Sequence, residues 1–449
     1  MGFSYIRTGG LLAAVIIFLS LQGCATSAQK SAGMRNMLHQ GRADLALREV
    51  EKQGQTDDVM VNMNLGMLRR MTGDYRGSNV ALEAARKKIE ELYATSITEQ
   101  AGAMMINDET ISFQGERFEQ VLIHAYKALN YIDLGNLDAA RVEILQADVK
   151  MMEWGDSPEE DPFMRYLAGI IYEALGERDD ALISYRKALE AYRRSRQRQG
   201  FGVPEQLKQD LLRLLAQGGL RGELERYRKE FGMSSWQMPD TRGKGELVVI
   251  MNNGLAPQRQ QRTFQTYSTE LAYNIRVAVP AYLHPPAYVN PVRLTVDGQQ
   301  EPLETVENID GLARAALEKD MPVITARAIA RAVVKKKSEK EAGKSDSPYA
   351  GLAQLAMLVV NTATEIADTR GWNTLPQEVQ LARVMLPPGQ HQLSLEVLGR
   401  SGRVLDRYDQ PVTIRAGRKT IIARHWTAPR PVSRSGTQTA TASSVKAAP

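Results

Sequence analysis

The chain has 449 residues, with 57 Lys and Arg against 52 Asp and Glu, five His and a single Cys. One cysteine excludes an intrachain disulfide framework and any metal site built on several thiolates. Arg430, Arg434 and Lys446 sit in a terminal stretch without acids, so the remaining body is close to neutral and offers no nucleic-acid surface.

At the N-terminus Arg7 precedes the apolar run 11–21. That run has the length of a signal-peptide core and falls short of the ~20 residues of a bilayer span. It ends in Leu21-Gln22-Gly23-Cys24, which resembles the lipobox of bacterial lipoproteins. The resemblance implies a signal peptide over 1–23, acylation of the Cys24 thiol, and a lipidated linker over 24–33. The lipids implied are diacylglycerol and palmitate. Ala25, standing where a retention Asp would stand, implies the outer membrane. One acyl chain anchors marginally at ~0.8 kcal/mol per buried methylene, whereas two or three make attachment effectively permanent.

Residues 34–235 are rich in Ala, Leu, Glu, Arg and Met at helical period. The clearest unit is 162–192, PFMRYLAGIIYEALGERDDALISYRKALEAY. Asp161 and Pro162 suit a helix cap and first turn. Gly169, Tyr172 and Gly176, then Ala181, Tyr185 and Ala188, let two antiparallel helices approach and fill the wedge between them with aromatic rings. The order resembles the tetratricopeptide repeat (TPR). Ala128, Tyr131, Gly135, Ala140 and Ala147 repeat it, as do Gly66, Gly73, Leu82 and Ala85 more loosely. Gly41 and Ala46 suggest a partial first unit, and 211–231 a degenerate last one. The wide gap between Gly73 and Gly135 predicts an insertion around 95–116. Stacked hairpins leave an extended groove, which predicts a protein or peptide partner. Tyr166 and Tyr172 are its candidate contacts.

A turn-rich linker at 238–245 separates this half from an α+β module over 246–426. Strands are predicted at 246–251, 275–279 and 292–296, the last ending in the turn pair Asp297-Gly298. Helices are predicted at 308–337, broken at Pro322, and at 347–368. Strands at 379–386, 391–398, 404–408, 412–415 and 420–425 read as a small antiparallel sheet or sandwich. The stretch LPPGQHQLSLEVLG resembles the Pro-Gly-centred hairpins of PEGA domains. Residues 427–449, rich in Ser, Thr, Ala and Pro, read as a disordered tail. The fold class is therefore α+β and multidomain, a TPR-like solenoid followed by an α+β module.

Chemistry is sparse. The histidines at 39, 124, 284, 391 and 425 form no metal-binding spacing, and neither a G-x-S-x-G elbow nor a phosphate loop is present. No cofactor, no metal and no catalytic residue is expected. Acidic pairs such as Asp179-Asp180 read as solvated helix starts. The basic runs at 193–198 and 335–337 read as solvated faces or as contacts to phosphates or peptidoglycan carboxylates. Two readings stand for Asp368, Arg370 and Trp372. They bind a carboxylate or sugar ring through an Arg fork and a Trp face, or Arg370 caps carbonyls while Trp372 anchors the sheet. Likewise the apolar stretch 352–360 is a core helix or a membrane or partner contact.

The lipobox, the repeats and the stretch ITARAIARAVVKK…ADTRGWNTLPQEVQLARVMLPPGQH together resemble a family of proteobacterial outer-membrane lipoproteins with TPR-type N-terminal halves. The resemblance implies a periplasm-facing scaffold, held by its lipid anchor and binding an envelope protein or peptide in cell-envelope assembly. The competing expectation is a peptidoglycan-acting enzyme with a site around Asp368, Arg370 and His391. A further one is a structural wall-binding lipoprotein.

Overall fold

The structure is a computed structural model that describes residues 27–52, 54, 58–103, 112–154, 161–268, 273–343 and 366–429. The signal segment, Cys24, the apolar stretch 352–360, most of the helix expected at 347–368 and the tail from 430 onward lie outside the described residues. The chain is α+β, with eleven helices among the described residues and three sheets.

The helices come first and pair with their sequence neighbours. They are α1 (Ser27–Leu38), α2 (Ala43–Glu51), α3 (Val59–Met71), α4 (Tyr75–Ala103), α5 (Arg117–Asp133), α6 (Leu137–Glu153), α7 (Pro162–Leu175), α8 (Arg178–Gln199), α9 (Glu205–Gln217) and α10 (Arg221–Glu230). The expected turn glycines Gly41, Gly73, Gly135 and Gly176 all have positive φ, between +67° and +87°, and each closes a helical hairpin. Asp161 caps α7 by accepting from the Met164 N–H at 2.7 Å, with Pro162 in the first turn. Gly169 lies against Tyr185: a Cβ there would fall 2.2 Å from the ring. The absent side chain is thus what lets α8 lie close on α7.

Two expectations change here. The linker expected over 24–33 is helical from Ser27, because Ser31 is buried and its hydroxyl receives the Asn373 amide. Of the insertion expected at 95–116, the part up to Ala103 simply continues α4.

The second half begins with β1 (Gly245–Asn253), then β2 (Gln260–Ser268), β3 (Tyr273–Ala281), β4 (Val292–Val296), β5 (Gln299–Pro302) and β6 (Glu304–Asn308). Next come α11 (Ile309–Gly343), β7 (Glu378–Leu386), β8 (Gly389–Leu398), β9 (Val404–Ile414) and β10 (Lys419–Trp426). One sheet has the order β10-β1-β7-β6, another β5-β4-β8-β9, and β2-β3 is a separate hairpin. The expected antiparallel arrangement is in fact mixed, because β1 and β10 run parallel, from Glu246 beside Lys419 to Asn253 beside Trp426. The two strands expected at 404–408 and 412–415 are one, β9, which passes through Pro411. An edge strand tolerates proline because its outward N–H has no ladder partner. Likewise α11 continues through Pro322. Its first turns, at Leu312 and Leu317, are pinned to the core, and its middle, at Ala328 and Ala332, to the β2-β3 hairpin.

The period of two along β1 organises the interior. Leu247, Val249 and Met251 face the second sheet and form a sandwich core with Leu294, Leu395 and Val397. Val248 and Ile250 point the other way, into one continuous core with the helices. The first sheet is therefore a middle layer, with a sheet on one side and the helical half on the other.

At the β4-β5 turn Asp297 takes φ +49° and Gly298 φ +85°, as the expected turn pair requires. Asp297 reaches His391 at the start of β8: Nδ1 lies 2.5 Å from its carboxylate, while Nε2 lies 2.8 Å from the Pro387 carbonyl. Both partners only accept, so the geometry favours the doubly protonated ring, and the Asp297 hydrogen bond raises the His391 pKa above its usual 6.5. A raised folded-state pKa gives stability that is complete below pH 6.5 and is lost as pH rises through the higher value. Melting temperatures across that window should fall in the parent chain and stay flatter in His391→Gln.

Candidate functional site

The groove expected between the helical hairpins is occupied by the chain itself. Three carboxylates and three cations meet there. Glu173 comes from α7, Asp210 and Arg213 from α9, Glu246 from β1, Arg383 from β7 and Lys419 from β10. Arg383 is the hub. Its guanidinium donates to Asp210 at 2.6 Å, to Glu246 at 2.6 and 3.0 Å, to Glu173 at 2.9 Å and to the Tyr185 hydroxyl at 2.9 Å. Arg213 forks onto Glu173 at 2.8 and 2.9 Å. Lys419 closes the ring onto Glu173 and Glu246.

All six side chains are at most one-tenth exposed. Removing ionised groups from water costs several kcal/mol each, so such a set persists only when each charge has opposite charge and hydrogen bonds around it. Desolvation pushes Glu246 up, yet Arg383 and Lys419 overcome it and hold the carboxyl at about 2. Glu173 is likewise driven well below the carboxylate range by Arg383, Arg213 and Lys419 against the cost of burial. Asp210, fully buried, is pushed upward by desolvation. A depressed folded-state pKa contributes stability above the unfolded value of about 4.5, lost as pH falls toward 2. For Glu246 alone that amounts to about 3 kcal/mol. Urea midpoints measured from pH 5 down to pH 2.5 should fall steeply, and less so in Glu246→Gln.

Further polar contacts join the halves around this hub. The Tyr126 hydroxyl donates to Asn252 at 3.1 Å, and Tyr192 donates to the Val306 carbonyl at 2.7 Å. From β6, Glu304 accepts the Glu205 and Gln206 N–H groups at 2.6 and 3.0 Å, while Glu307 accepts the Phe163 N–H at 3.2 Å. One strand thus supplies carboxylates to the N-termini of both α9 and α7. These are the ends where orphan N–H groups and the helix dipole favour an anion.

The residues singled out in the sequence fall in four places. Tyr166 is fully buried, donates to Asp210 at 2.6 Å and packs edge-on to Tyr185. It is a member of the closed interface and not a groove contact, because the sheet fills the space a peptide would need. Tyr172 is half-buried on α7. Asp368 and Arg370 pair with each other at 2.9 Å, and the guanidinium lies 5.5 Å over the Phe113 ring. Trp372 is 2% exposed, its backbone N–H donating to Glu119 at 2.7 Å and its ring meeting Tyr126 edge-on. The anchoring reading of Trp372 describes this placement, although it is held to α5 and not to a sheet. His391 belongs to the far sheet of the sandwich, so Asp368, Arg370 and His391 do not converge.

Beside Trp372 a small cavity remains, lined by Phe118, Glu119, Arg259, Tyr282 and Leu375 among others. At about 20 Å³ it has room for one water molecule. Burial, reinforced by Glu116, raises Glu119 to about 7, while the Trp372 and Glu116 N–H groups pull the other way. With its oxygens occupied by those two amides, Glu119 is a strut between α5 and the 366–375 loop. Among the described residues, no three His, Cys, Asp or Glu side chains stand close enough to hold a metal ion, and no helix is long and apolar enough to cross a membrane.

Sequence reading missed the hub. Its signal was present: Asp210 and Arg213 interrupt the apolar spacing of Leu207, Leu211 and Leu214, and Arg383 interrupts the strand VQLARVML. Charges inside otherwise apolar faces are usually either errors of assignment or buried partners of one another.

No family model matches the chain, and no curated protein matches it. Among solved structures, a crystal structure of MamA is 15% identical with a TM-score of 0.30, over 45% of this chain and 96% of that one. A further MamA structure, MSR-1 C2, is 19% identical with a TM-score of 0.28, over 46% of this chain and 98% of that one. The apo form of RapI is 14% identical with a TM-score of 0.34, over 48% of this chain and 56% of that one.

Proposed function

We propose that the chain is a lipid-anchored, non-catalytic scaffold of the bacterial cell envelope, acylated at Cys24 and facing the periplasm from the outer membrane. The observation that carries this reading is the docked first helix. Helix α1 starts three residues after Cys24 and is clasped to the C-terminal module. Arg35 donates to the Asn373 carbonyl at 2.8 Å, Asn373 to Ser31 at 3.1 Å, and Thr427 to the Leu38 carbonyl at 2.8 Å. An anchor at Cys24 would then hold a rigid body at the bilayer and not a domain on a long tether.

The binding role is supported by the TPR-like hairpins, which present preformed helical surfaces. Because the inner face is filled, the partner, an envelope protein or peptide, docks on outer surfaces such as that around Tyr172. A non-catalytic role is supported by the way the acids, bases and histidine of interest are engaged with one another.

Three measurements test the reading. The mass of the mature N-terminal peptide should include acyl chains on Cys24, and Cys24→Ser should release the protein from membranes. A photocrosslinker at Tyr172 should capture an envelope protein in cells, while one at Tyr166 should not; capture at neither position counts against the scaffold. Turnover of peptidoglycan by the purified chain, lost in Asp368→Ala, would establish the enzyme instead.

A further inference from the structure

We propose that the connection between β3 and β4, residues 282–291, is a preformed polyproline II (PPII) ridge that docks into an aromatic-lined groove of a protein partner through Leu283, Pro285, Pro286 and Tyr288. The proposal goes beyond the scaffold reading above, since it needs neither the lipid anchor nor the surface around Tyr172.

The connection reads YLHPPAYVNP. Proline fixes its own φ near −65°, and a residue that precedes proline is pushed to extended backbone. Those two rules reach His284, Pro285, Pro286, Asn290 and Pro291, half of the segment. None of its residues has positive φ, and none belongs to a helix, strand or turn.

The body holds this segment by one edge. Arg314 of α11 donates to the His284 carbonyl at 2.9 Å. Gln377, just ahead of β7, donates to the Ala287 carbonyl at 2.7 Å, and Asn253 of β1 to the Asn290 carbonyl at 2.7 Å. The acceptors are spaced by three residues. A PPII helix has three residues per turn, so its carbonyls share an edge at that interval, whereas a period of 2 or 3.6 turns successive ones away. At the two ends Arg259 donates to the Tyr282 hydroxyl at 3.2 Å, and the Leu398 N–H to the Pro291 carbonyl at 2.9 Å.

The same period puts the side chains of Leu283 and Pro286 on a second edge, and those of Pro285 and Tyr288 on a third. Every residue from Leu283 to Tyr288 is exposed, Leu283 by 51% and Tyr288 by 45%. The Arg400 guanidinium lies 4.5 Å over the Tyr288 ring and holds its direction. A segment fixed in this way loses little conformational freedom on binding. Proline rings with a tyrosine one turn away fit between flat aromatic side chains, the chemistry by which Pro-rich segments are read. Acyl chains suit the ridge poorly, because a PPII backbone has no internal hydrogen bonds and its outward polar groups would lose water without replacement.

The test places a photocrosslinking amino acid at Leu283 of the full chain in cells and locates the adducts residue by residue by mass spectrometry. The expected adduct joins position 283 to a partner peptide carrying Trp or Tyr at or beside the joined residue. Tyr288→Ala should lower its yield about 30-fold, as loss of a central aromatic anchor does. Pro285→Ala with Pro286→Ala should lower it roughly tenfold, since the ridge is then less preformed. In broken cells a synthetic peptide of residues 282–291 should compete for the adduct, and the same peptide with Tyr288→Ala should not. Near-ultraviolet circular dichroism checks the fold of each variant, and the competition needs no altered ridge in the chain. No adduct, an adduct with lipid or with a second copy of the chain, a joined site without aromatic residues, or a yield indifferent to the variants and the peptide would overturn the proposal. Capture at Tyr172 without capture at Leu283 removes the ridge and leaves the scaffold, and the reverse removes the Tyr172 surface alone.

Discussion

Arg383→Met should destabilise the chain by about 3–5 kcal/mol, the cost of leaving buried carboxylates without their cation. Methionine fills much of the volume of the arginine stem, so the loss reports charge and hydrogen bonding more than a cavity. Asp210 and Glu246 each lose a 2.6 Å partner, and Glu173 keeps Arg213, Lys419 and the Tyr185 hydroxyl. Urea unfolding followed by circular dichroism measures the loss. A cycle adding Glu246→Gln and Asp210→Asn isolates its origin, because neutralising the stranded acids should restore most of the stability. A loss under 1 kcal/mol, or no recovery in the combined variant, would show that the network is incidental to folding.

Gly169→Ala is expected to cost about 1–3 kcal/mol although alanine is the better helix former. The intrinsic preference alone would stabilise α7 by about 1 kcal/mol. Against it stands a Cβ placed 2.2 Å from the Tyr185 ring. That ring is fully buried, edge-on to Tyr166, and its hydroxyl is tied to Glu173 at 2.5 Å and to Arg383 at 2.9 Å, so it cannot yield cheaply. Thermal melts of Gly169→Ala alone and in a Tyr185→Leu background separate the two effects. In that background the ring is gone, and the alanine should become neutral or stabilising. A stabilising Gly169→Ala in the parent would show that the helices separate without penalty.

The helical half was legible because its determinants are local. A glycine that must adopt positive φ, followed by small and aromatic residues at three- and four-residue intervals, marks a helical hairpin within about thirty-five residues of chain. Most β-strands were legible for a similar reason, since apolar alternation and Pro-Gly turns need no distant information. The destination of the inner helical face was not legible, because it depends on pairing across great separations. Tyr126 meets Asn252 126 residues away, and Tyr192 meets Val306 114 residues away. Nothing in the periodicity of either half shows that the second closes on the first.

The expected site divided along the same line. Asp368 and Arg370, expected to engage a ligand or helix-end carbonyls, pair with each other two residues apart, a contact that neither reading named. Trp372 reaches α5 across 253 residues, so which of its two readings applied was decided by tertiary structure. His391 had no local sign of Asp297, 94 residues before it. Strand β2 escaped notice because QQRTFQTYS carries little apolar alternation, and its stability comes from β3 and α11.

The parallel pairing of β1 with β10 has a kinetic side. Glu246 and Lys419 are 173 residues apart, so the middle strand waits for nearly the last of the described residues before it is enclosed. Closing so long a loop is slow relative to forming helical hairpins. Until it closes, the edge of β1 and the apolar inner wall of the helices stand open together, a state prone to aggregation. A premature stop before residue 419 should therefore leave an insoluble or protease-sensitive product, while a tag fused beyond residue 429 leaves the closing strand intact.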